Sequence, residues 1–133
     1  MPFVLDNSVV SGWFLEDQAT PYTETIARRM EDDRAIVPPL WQLEFATVLR
    51  TVCRNQRLVA AQAHAIIDQI CDLPIEIDTV TPGPAEILTL ALRHNLSSYD
   101  AAYLELALRL QIPVATKDGP LRDAARASGV GLA

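Results

Sequence analysis

The fold is decided by Pro2-Phe3-Val4-Leu5-Asp6-Asn7-Ser8, in which a short strand over Pro2–Leu5 ends at Asp6 and a helix is predicted over Ser8–Leu15. The same order returns near the end of the chain, where Pro113-Val114-Ala115 precedes Thr116-Lys117-Asp118. Strands that alternate with helices predict a parallel sheet with helices on both faces. Ligands of such sheets bind beyond the carboxyl ends of the strands. Asp6 and Asp118 are therefore candidate functional residues.

The rest of the chain keeps this alternation. Further strands are predicted over Ala35–Val37, Ile75–Ile77 and Pro113–Ala115, and Val130–Leu132 is a candidate edge strand. The predicted helices after the first are Thr20–Asp32, Pro38–Asn55, Val59–Leu73, Thr81–Arg93, Ser97–Leu110 and Asp118–Gly129. We therefore expect one α/β domain over residues 1–133, with a central parallel sheet of four to five strands.

The composition is that of a globular protein. Hydrophobic residues make up 50% of the chain and charged residues 21%, which excludes disorder. The apolar stretches fall far short of the roughly 20 residues that a membrane span needs. The first residues show neither a basic region nor a cleavage site of the kind that signal peptides carry. We expect a cytoplasmic protein with no contact to membranes.

The charge balance and the cysteines exclude further classes. Eleven basic and seventeen acidic residues give a net charge of −6, which argues against a nonspecific duplex-binding surface. A nucleic acid would have to approach through a local basic patch or through bound cations. The two cysteines, Cys53 and Cys71, form no C-x-x-C pair, so zinc-ribbon and thioredoxin functions are excluded and inert thiols are expected.

Glu44 is the first acid in an unexpected place. On a helical wheel it lies about 60° from Trp41, between Leu40 and Val48 on the apolar arc of the helix. A carboxylate that faces a core costs several kcal/mol unless another group compensates it. The alternatives are a buried ion pair with an arginine and a functional site.

Asp100 repeats this pattern on the next-to-last helix. It lies within about 60° of Tyr103, Leu104 and Ala107, whereas Glu105 and Arg109 lie on the far side. Taken alone, it could be a first-turn acid that complements the helix dipole. Asp6 and Asp118 taken alone could be helix N-caps.

The four acids together predict a metal site. Like charges about 4 Å apart repel by on the order of 4 kcal/mol at an effective dielectric constant near 20, and a divalent cation removes this cost. Oxygen-only ligands suit Mg²⁺, with Mn²⁺ as a second possibility. Such an ion activates water and stabilises charge on a phosphoryl group. Because no phosphate-binding P-loop is present, phosphodiester hydrolysis is the simplest chemistry.

The sequence resembles the PIN-domain nucleases, and most closely the VapC toxins of toxin–antitoxin pairs. The resemblance covers nearly the whole chain and rests on four blocks, of which the third is the most specific. These are Val4-Leu5-Asp6-Asn7-Ser8, Pro39-Leu40-Trp41-Gln42-Leu43-Glu44, Leu96-Ser97-Ser98-Tyr99-Asp100-Ala101-Ala102-Tyr103 and Val114-Ala115-Thr116-Lys117-Asp118. The resemblance implies a PIN-like three-layer sandwich.

The resemblance also implies site residues. It assigns the metal site to Asp6, Glu44, Asp100 and Asp118, with Asp6 and Asp100 as the most direct ligands. Ser8 and Thr116 match small hydroxyl positions that support the pocket, although capping of nearby helices is an equal alternative. In its resemblance to this family the chain departs at Thr47, where many relatives carry Asn, and so it lacks the amide at this position.

The implied function is a Mg²⁺-dependent endoribonuclease that halts translation, forms a homodimer and is neutralised by a cognate antitoxin. Trp13, Phe14 and Trp41 could receive an antitoxin helix, but most large aromatic side chains belong to the core. Lys117 and Arg93 are candidate RNA contacts because they lie near the acids in the predicted fold.

Two alternative functions remain. A binding module could keep the fold and lack turnover, although the presence of all four acids argues against it. A phospho-acceptor receiver domain would also place acids after strands, and its acceptor would have to be Asp78. That domain needs paired acids after the first strand, whereas Asn7 follows Asp6 here.

Overall fold

A four-stranded parallel sheet forms the centre of the molecule. The computed structural model describes residues 1–133 and contains the strands β1 (Phe3–Leu5), β2 (Ala35–Val37), β3 (Ile75–Ile77) and β4 (Val114–Ala115). The strand order is β3-β2-β1-β4, and each neighbouring pair is parallel. The predicted sheet is thus confirmed with four strands. The segment Val130–Leu132 adds one isolated parallel bridge, between Leu132 and Val114.

Seven α-helices connect and cover the strands. They are α1 (Asn7–Phe14), α2 (Pro21–Arg29), α3 (Leu40–Arg54), α4 (Ala60–Cys71), α5 (Pro84–His94), α6 (Ser98–Leu110) and α7 (Gly119–Ala127), with a short 3₁₀ turn at Glu16–Gln18. None of these helices is both long enough and apolar enough to span a bilayer.

Helices cover both faces of the sheet centre. Successive side chains of a strand point to opposite faces, and every residue of β1 and β2 is buried. Both faces are therefore covered, as the predicted sandwich requires. The outer strand β3 is different, because Glu76 and Ile77 are exposed. A core of 25 buried residues surrounds the two central strands.

The predicted helix starts agree with the structure at α6 and α7 but not at α5. Ser97 accepts a hydrogen bond from the Asp100 amide at 3.1 Å, and Asp118 accepts one from the Leu121 amide at 3.0 Å, so both predicted N-caps are present. The predicted start of α5 at Thr81 was wrong. The helix begins at Pro84, because this second proline takes the first helical position, where a missing N–H costs nothing.

The large aromatic side chains near the start of α3 belong to the core. Trp41 is 4% exposed, and its ring centroid lies 5.2 Å from that of Phe45. Phe14 packs against the same Phe45 ring at 5.8 Å, and the Trp13 Nε1 donates to the Thr23 carbonyl at 2.8 Å. The core assignment is therefore correct for Trp41, whereas Trp13 and Phe14 are partly buried and pack against the core.

Helices α1 and α2 approach each other closely at Gly12. A Cβ atom at this position would lie 2.6 Å from Thr23 Cγ2 and 2.7 Å from Thr23 Oγ1. Thr23 is fully buried and hydrogen-bonded to Thr20, so its side chain cannot turn away. The missing side chain of Gly12 thus sets the distance between the two helices.

We expect Gly12→Ala to lower the free energy of unfolding by roughly 1–3 kcal/mol, because overpacking of a closed contact costs this much. Helix propensity alone would predict the opposite sign, because alanine is favoured over glycine by about 1 kcal/mol in a helix. Urea denaturation of the purified protein measures it. Gly119→Ala is the control, because nothing lies within 4 Å of the added Cβ. Equal stability of both variants would contradict the close-packing argument.

Candidate active site

All four acids that the sequence singled out line one open cavity at the carboxyl ends of the strands. Asp6 directly follows β1, and Asp118 lies beyond β4, the strand next to β1 in the sheet. Glu44 lies on α3, and Asp100 lies on α6. The cavity has a volume of about 550 Å³. Its lining consists of Asp6, Asn7, Ser8, Leu43, Glu44, Thr47, Val48, Tyr99, Asp100 and Asp118.

Asp6 is the most deeply buried of the four acids, at 7% exposure. Its Oδ2 accepts hydrogen bonds from Ser8 Oγ at 2.8 Å and from Thr116 Oγ1 at 2.7 Å. Burial raises the pKa of Asp6 above its ordinary value, and the two hydroxyl donors and the Asn7 amide offset part of that rise. Asp6 makes no side-chain cap to α1, so the capping explanation fails for this residue.

Backbone amides orient the two hydroxyl groups. The Lys117 amide donates to Ser8 Oγ at 2.9 Å, and the Asp118 amide donates to Thr116 Oγ1 at 3.0 Å. Since each hydroxyl has one proton, acceptance from an amide leaves that proton to point at Asp6. Ser8 and Thr116 therefore hold the Asp6 carboxylate in place and do not cap helices.

Glu44 is half-buried and has no cationic partner. Tyr103 Oη donates to Glu44 Oε1 at 2.6 Å, so the alternative of a buried ion pair with arginine is wrong. Burial raises the pKa of Glu44, the nearby charge of Asp6 raises it further, and the Tyr103 hydrogen bond lowers it. Glu44 thus remains a polar group at the edge of the core without a neutralising charge.

Asp100 feels the other three carboxylates directly. Burial raises its pKa from 3.8 to about 6, and the charges of Asp118, Asp6 and Glu44 contribute to this rise in that order. The four acids therefore form one electrostatic cluster. Repulsion within it favours any cation that enters the cavity.

No positively charged side chain neutralises this cluster. The seven ion pairs of the structure all lie elsewhere. The Lys117 ammonium donates to the Gln18 carbonyl at 2.6 Å, and Arg93 is exposed in the last turn of α5. Neither residue lines the cavity, and their contact with RNA stays a prediction.

The donor set fits a hard divalent cation. Carboxylate and hydroxyl oxygens line the cavity, with no histidine or cysteine among them, and such ligands suit Mg²⁺ or Mn²⁺ rather than zinc. No three acids converge tightly enough to enclose an ion by themselves. Mg²⁺ does not require such an enclosure, because it keeps several waters and binds through one or two carboxylates.

Two polar residues of the site were not predicted as site residues. Tyr103 reaches Glu44 from α6, and Asn7 is buried beside Asp6, where its side chain donates to the Trp41 carbonyl at 3.2 Å. Both stand in the sequence blocks that carry the acids. Thr47 lines the cavity, but its hydroxyl donates to the Leu43 carbonyl at 2.9 Å within α3.

The receiver-domain alternative finds no support at Asp78. This side chain follows β3, and Arg109 Nη2 donates to its Oδ2 at 2.6 Å. The same guanidinium also binds Glu105 at 2.8 Å. Asp78 therefore forms part of an ion-pair cluster away from the four acids.

Comparison with known proteins gives the family to which this parallel sheet with four carboxylates at one edge belongs. The PIN domain matches residues 3–127, so the chain belongs to the PIN-domain family, as the sequence motifs indicated. A solved structure, PAE2754 from Pyrobaculum aerophilum, is similar with a TM-score of 0.70 and 20% sequence identity. The match covers 95% of this chain and 86% of that one.

Two sequence relatives are each named Ribonuclease VapC1, from Mycobacterium tuberculosis strains CDC 1551 / Oshkosh and ATCC 25618 / H37Rv. Each is 35% identical to this chain over 86 residues. The alignments cover 63% of this chain and 62% of each relative, so the chain matches less than two thirds of their length.

We expect Asp100→Asn to raise the melting temperature of the metal-free protein at pH 7.5 by roughly 3–6 °C. The folded state holds the Asp100 pKa at about 6 and the unfolded chain near 3.8, so ionised Asp100 disfavours folding at pH 7.5. Because the residue is partly exposed, solvent screening limits the effect to about 1 kcal/mol. Thermal unfolding in EDTA measures it.

The difference should shrink below pH 6 and vanish near pH 3, where Asp100 is protonated in both the folded protein and the unfolded chain. Asp68→Asn on the exposed face of α4 is the control, with no expected change. A lower melting temperature of Asp100→Asn at pH 7.5 would show that Asp100 is structural.

Proposed function

We propose that this protein is a metal-dependent endoribonuclease that uses Mg²⁺, with Mn²⁺ as an alternative ion. The observation that carries the proposal is the cavity in which Asp6, Glu44, Asp100 and Asp118 meet without a positive side chain. The PIN-domain match and the ribonuclease names of the relatives support RNA as the substrate.

Each side chain has a defined part in this proposal. When bound, the ion would supply an activated water and stabilise charge on the phosphoryl group. Asp6, held by Ser8 and Thr116, and Asp100 would bind it most directly. Glu44 and Asp118 would complete the pocket, as ligands or through water. The carboxylates also repel an RNA phosphate, so the ion is needed to admit the substrate.

We expect Asp100→Asn to lower the rate of RNA cleavage by on the order of 100-fold or more, because metal stabilisation of the transition state contributes several kcal/mol. EDTA should stop the wild-type reaction, and Mg²⁺ added in excess should restore it. Gel analysis of a long labelled RNA measures both effects.

Asp68→Asn is again the matched control, since it removes one acidic charge from the exposed face of α4. Cleavage by Asp100→Asn at the wild-type rate, or cleavage that survives EDTA, would refute the mechanism. A folded wild type that binds Mg²⁺ and leaves RNA intact would favour the non-catalytic binding module.

The biological role that we propose is that of a toxin in a toxin–antitoxin pair, acting in the cytoplasm. RNA cleavage would inhibit translation, and a cognate antitoxin would neutralise the protein. The support is the resemblance of the four sequence blocks to VapC toxins, together with the relatives named VapC1.

We further propose that the protein forms a homodimer through the face that α5 presents. Helix α5 has no buried residue, and Leu88 and Leu92 are 58% and 75% exposed. Beside it, Leu43, Val80 and Tyr99 are also exposed and line an apolar groove of about 440 Å³. Exposed apolar side chains in this number mark an interaction surface, and a second copy would cover them.

We expect Leu92→Glu to convert the dimer into a monomer, because the interface would have to bury an unpaired carboxylate. Light scattering after size-exclusion chromatography gives the molar mass. Val59→Glu is the control, because Val59 is similarly exposed, at 64%, and precedes α4. A monomeric wild type, or a dimeric Leu92→Glu variant, would contradict this interface.

A further inference from the structure

Tyr103 is a buried polar residue to which neither the sequence motifs nor the family comparison assigns a role. Its side chain has no exposed surface, yet its hydroxyl reaches Glu44 Oε1 at 2.6 Å. Tyr103 lies on α6 one turn after Asp100, and Glu44 lies on α3. The hydrogen bond therefore joins the two helices that supply the cavity with one acid each.

The hydrogen bond works against the repulsion inside the cavity. Asp6 and Asp100 both act electrostatically on Glu44, and Glu44 is only half-buried. A flexible carboxylate in this position would turn toward solvent, away from the other acids. A short bond to a charged acceptor is about twice as strong as a neutral one, and the rigid, fully buried tyrosine ring fixes its direction.

The bond leaves Glu44 able to bind a cation. A carboxylate has about four acceptor positions on its two oxygens, and Tyr103 uses one of them on Oε1. The Tyr103 hydroxyl has one proton, which it donates to Glu44 Oε1 at 2.6 Å. No other tyrosine hydroxyl takes part in a side-chain pair of this kind.

We propose that Tyr103 is a positioning residue that holds the Glu44 carboxylate in the acid cluster, and that divalent-cation binding depends on this hydrogen bond. The proposal rests on the metal-dependent function proposed above. Tyr103 acts through Glu44 and does not itself contact ion or substrate. Mutation of residues that hydrogen-bond to metal ligands and orient them typically lowers metal affinity or activity by 10- to 100-fold.

The test is calorimetric titration of the full chain with Mn²⁺, at a pH where the acids are ionised. We expect Tyr103→Phe to weaken Mn²⁺ binding by roughly 10- to 100-fold and to reduce the stabilisation that Mn²⁺ gives in thermal unfolding. In cleavage assays the Mn²⁺ concentration that gives half-maximal activity should rise by the same factor, whereas the rate at saturating Mn²⁺ should change much less. Tyr22→Phe is the matched control, because it removes a hydroxyl that donates to the Ala133 carbonyl, away from the acids.

A double-mutant cycle with Glu44→Gln separates positioning from a general structural role. If Tyr103 acts through Glu44, Tyr103→Phe should change Mn²⁺ affinity by less than about twofold in the Glu44→Gln background. An equal loss in both backgrounds, or wild-type affinity in the folded Tyr103→Phe protein, would overturn the proposal.

Glu44→Asp serves if Tyr103→Phe fails to fold, because the shorter side chain keeps its charge and draws back from the tyrosine hydroxyl. It should weaken Mn²⁺ binding in the same range, and unchanged affinity would overturn the proposal. A wild type that binds no Mn²⁺ would refute the proposed function and this inference together. Binding by the wild type with unchanged affinity in the variants would refute the inference alone.

Discussion

Mutual repulsion among four carboxylates is the constraint to which the rest of the site responds. Asp6 is buried at the end of a central strand, and the pKa of Asp100 lies near 6 because burial and the three other acids act on it. No arginine or lysine relieves this repulsion. The fold instead holds the acids with neutral donors, which leave their charge intact for a cation. Ser8 and Thr116 do so for Asp6, and Tyr103 does so for Glu44.

The sheet makes this arrangement possible. Because β1 and β4 are adjacent and parallel, the residues that follow them emerge at the same edge. For the same reason, the hydroxyl groups of Ser8 and Thr116 both reach Asp6 Oδ2, although the two residues lie 108 positions apart in sequence. Helices α3 and α6 then bring the remaining acids over this edge. A site of charged groups thus rests on a core of apolar ones.

The sequence predicted those features that local patterns encode. The helical wheel placed Glu44 on the apolar side of α3, and the acids after strands lie at one edge of the sheet. The caps at Ser97 and Asp118 follow from residue type alone. The Tyr103 hydrogen bond could not be predicted, because it joins residues 59 positions apart through tertiary packing. The predicted start of α5 was wrong because Pro82 and Pro84 both suit the first helical position, and Pro84 occupies it.

Asp118 serves two structures at once. Its Oδ2 accepts the Leu121 amide at the beginning of α7, while the side chain also lines the acid cavity. This bond occupies one of about four acceptor positions on the carboxylate, so the others stay free to face the cavity. The cap therefore fixes the direction of one acid of the site, and loss of this carboxylate would remove both the start of α7 and one charge of the cavity.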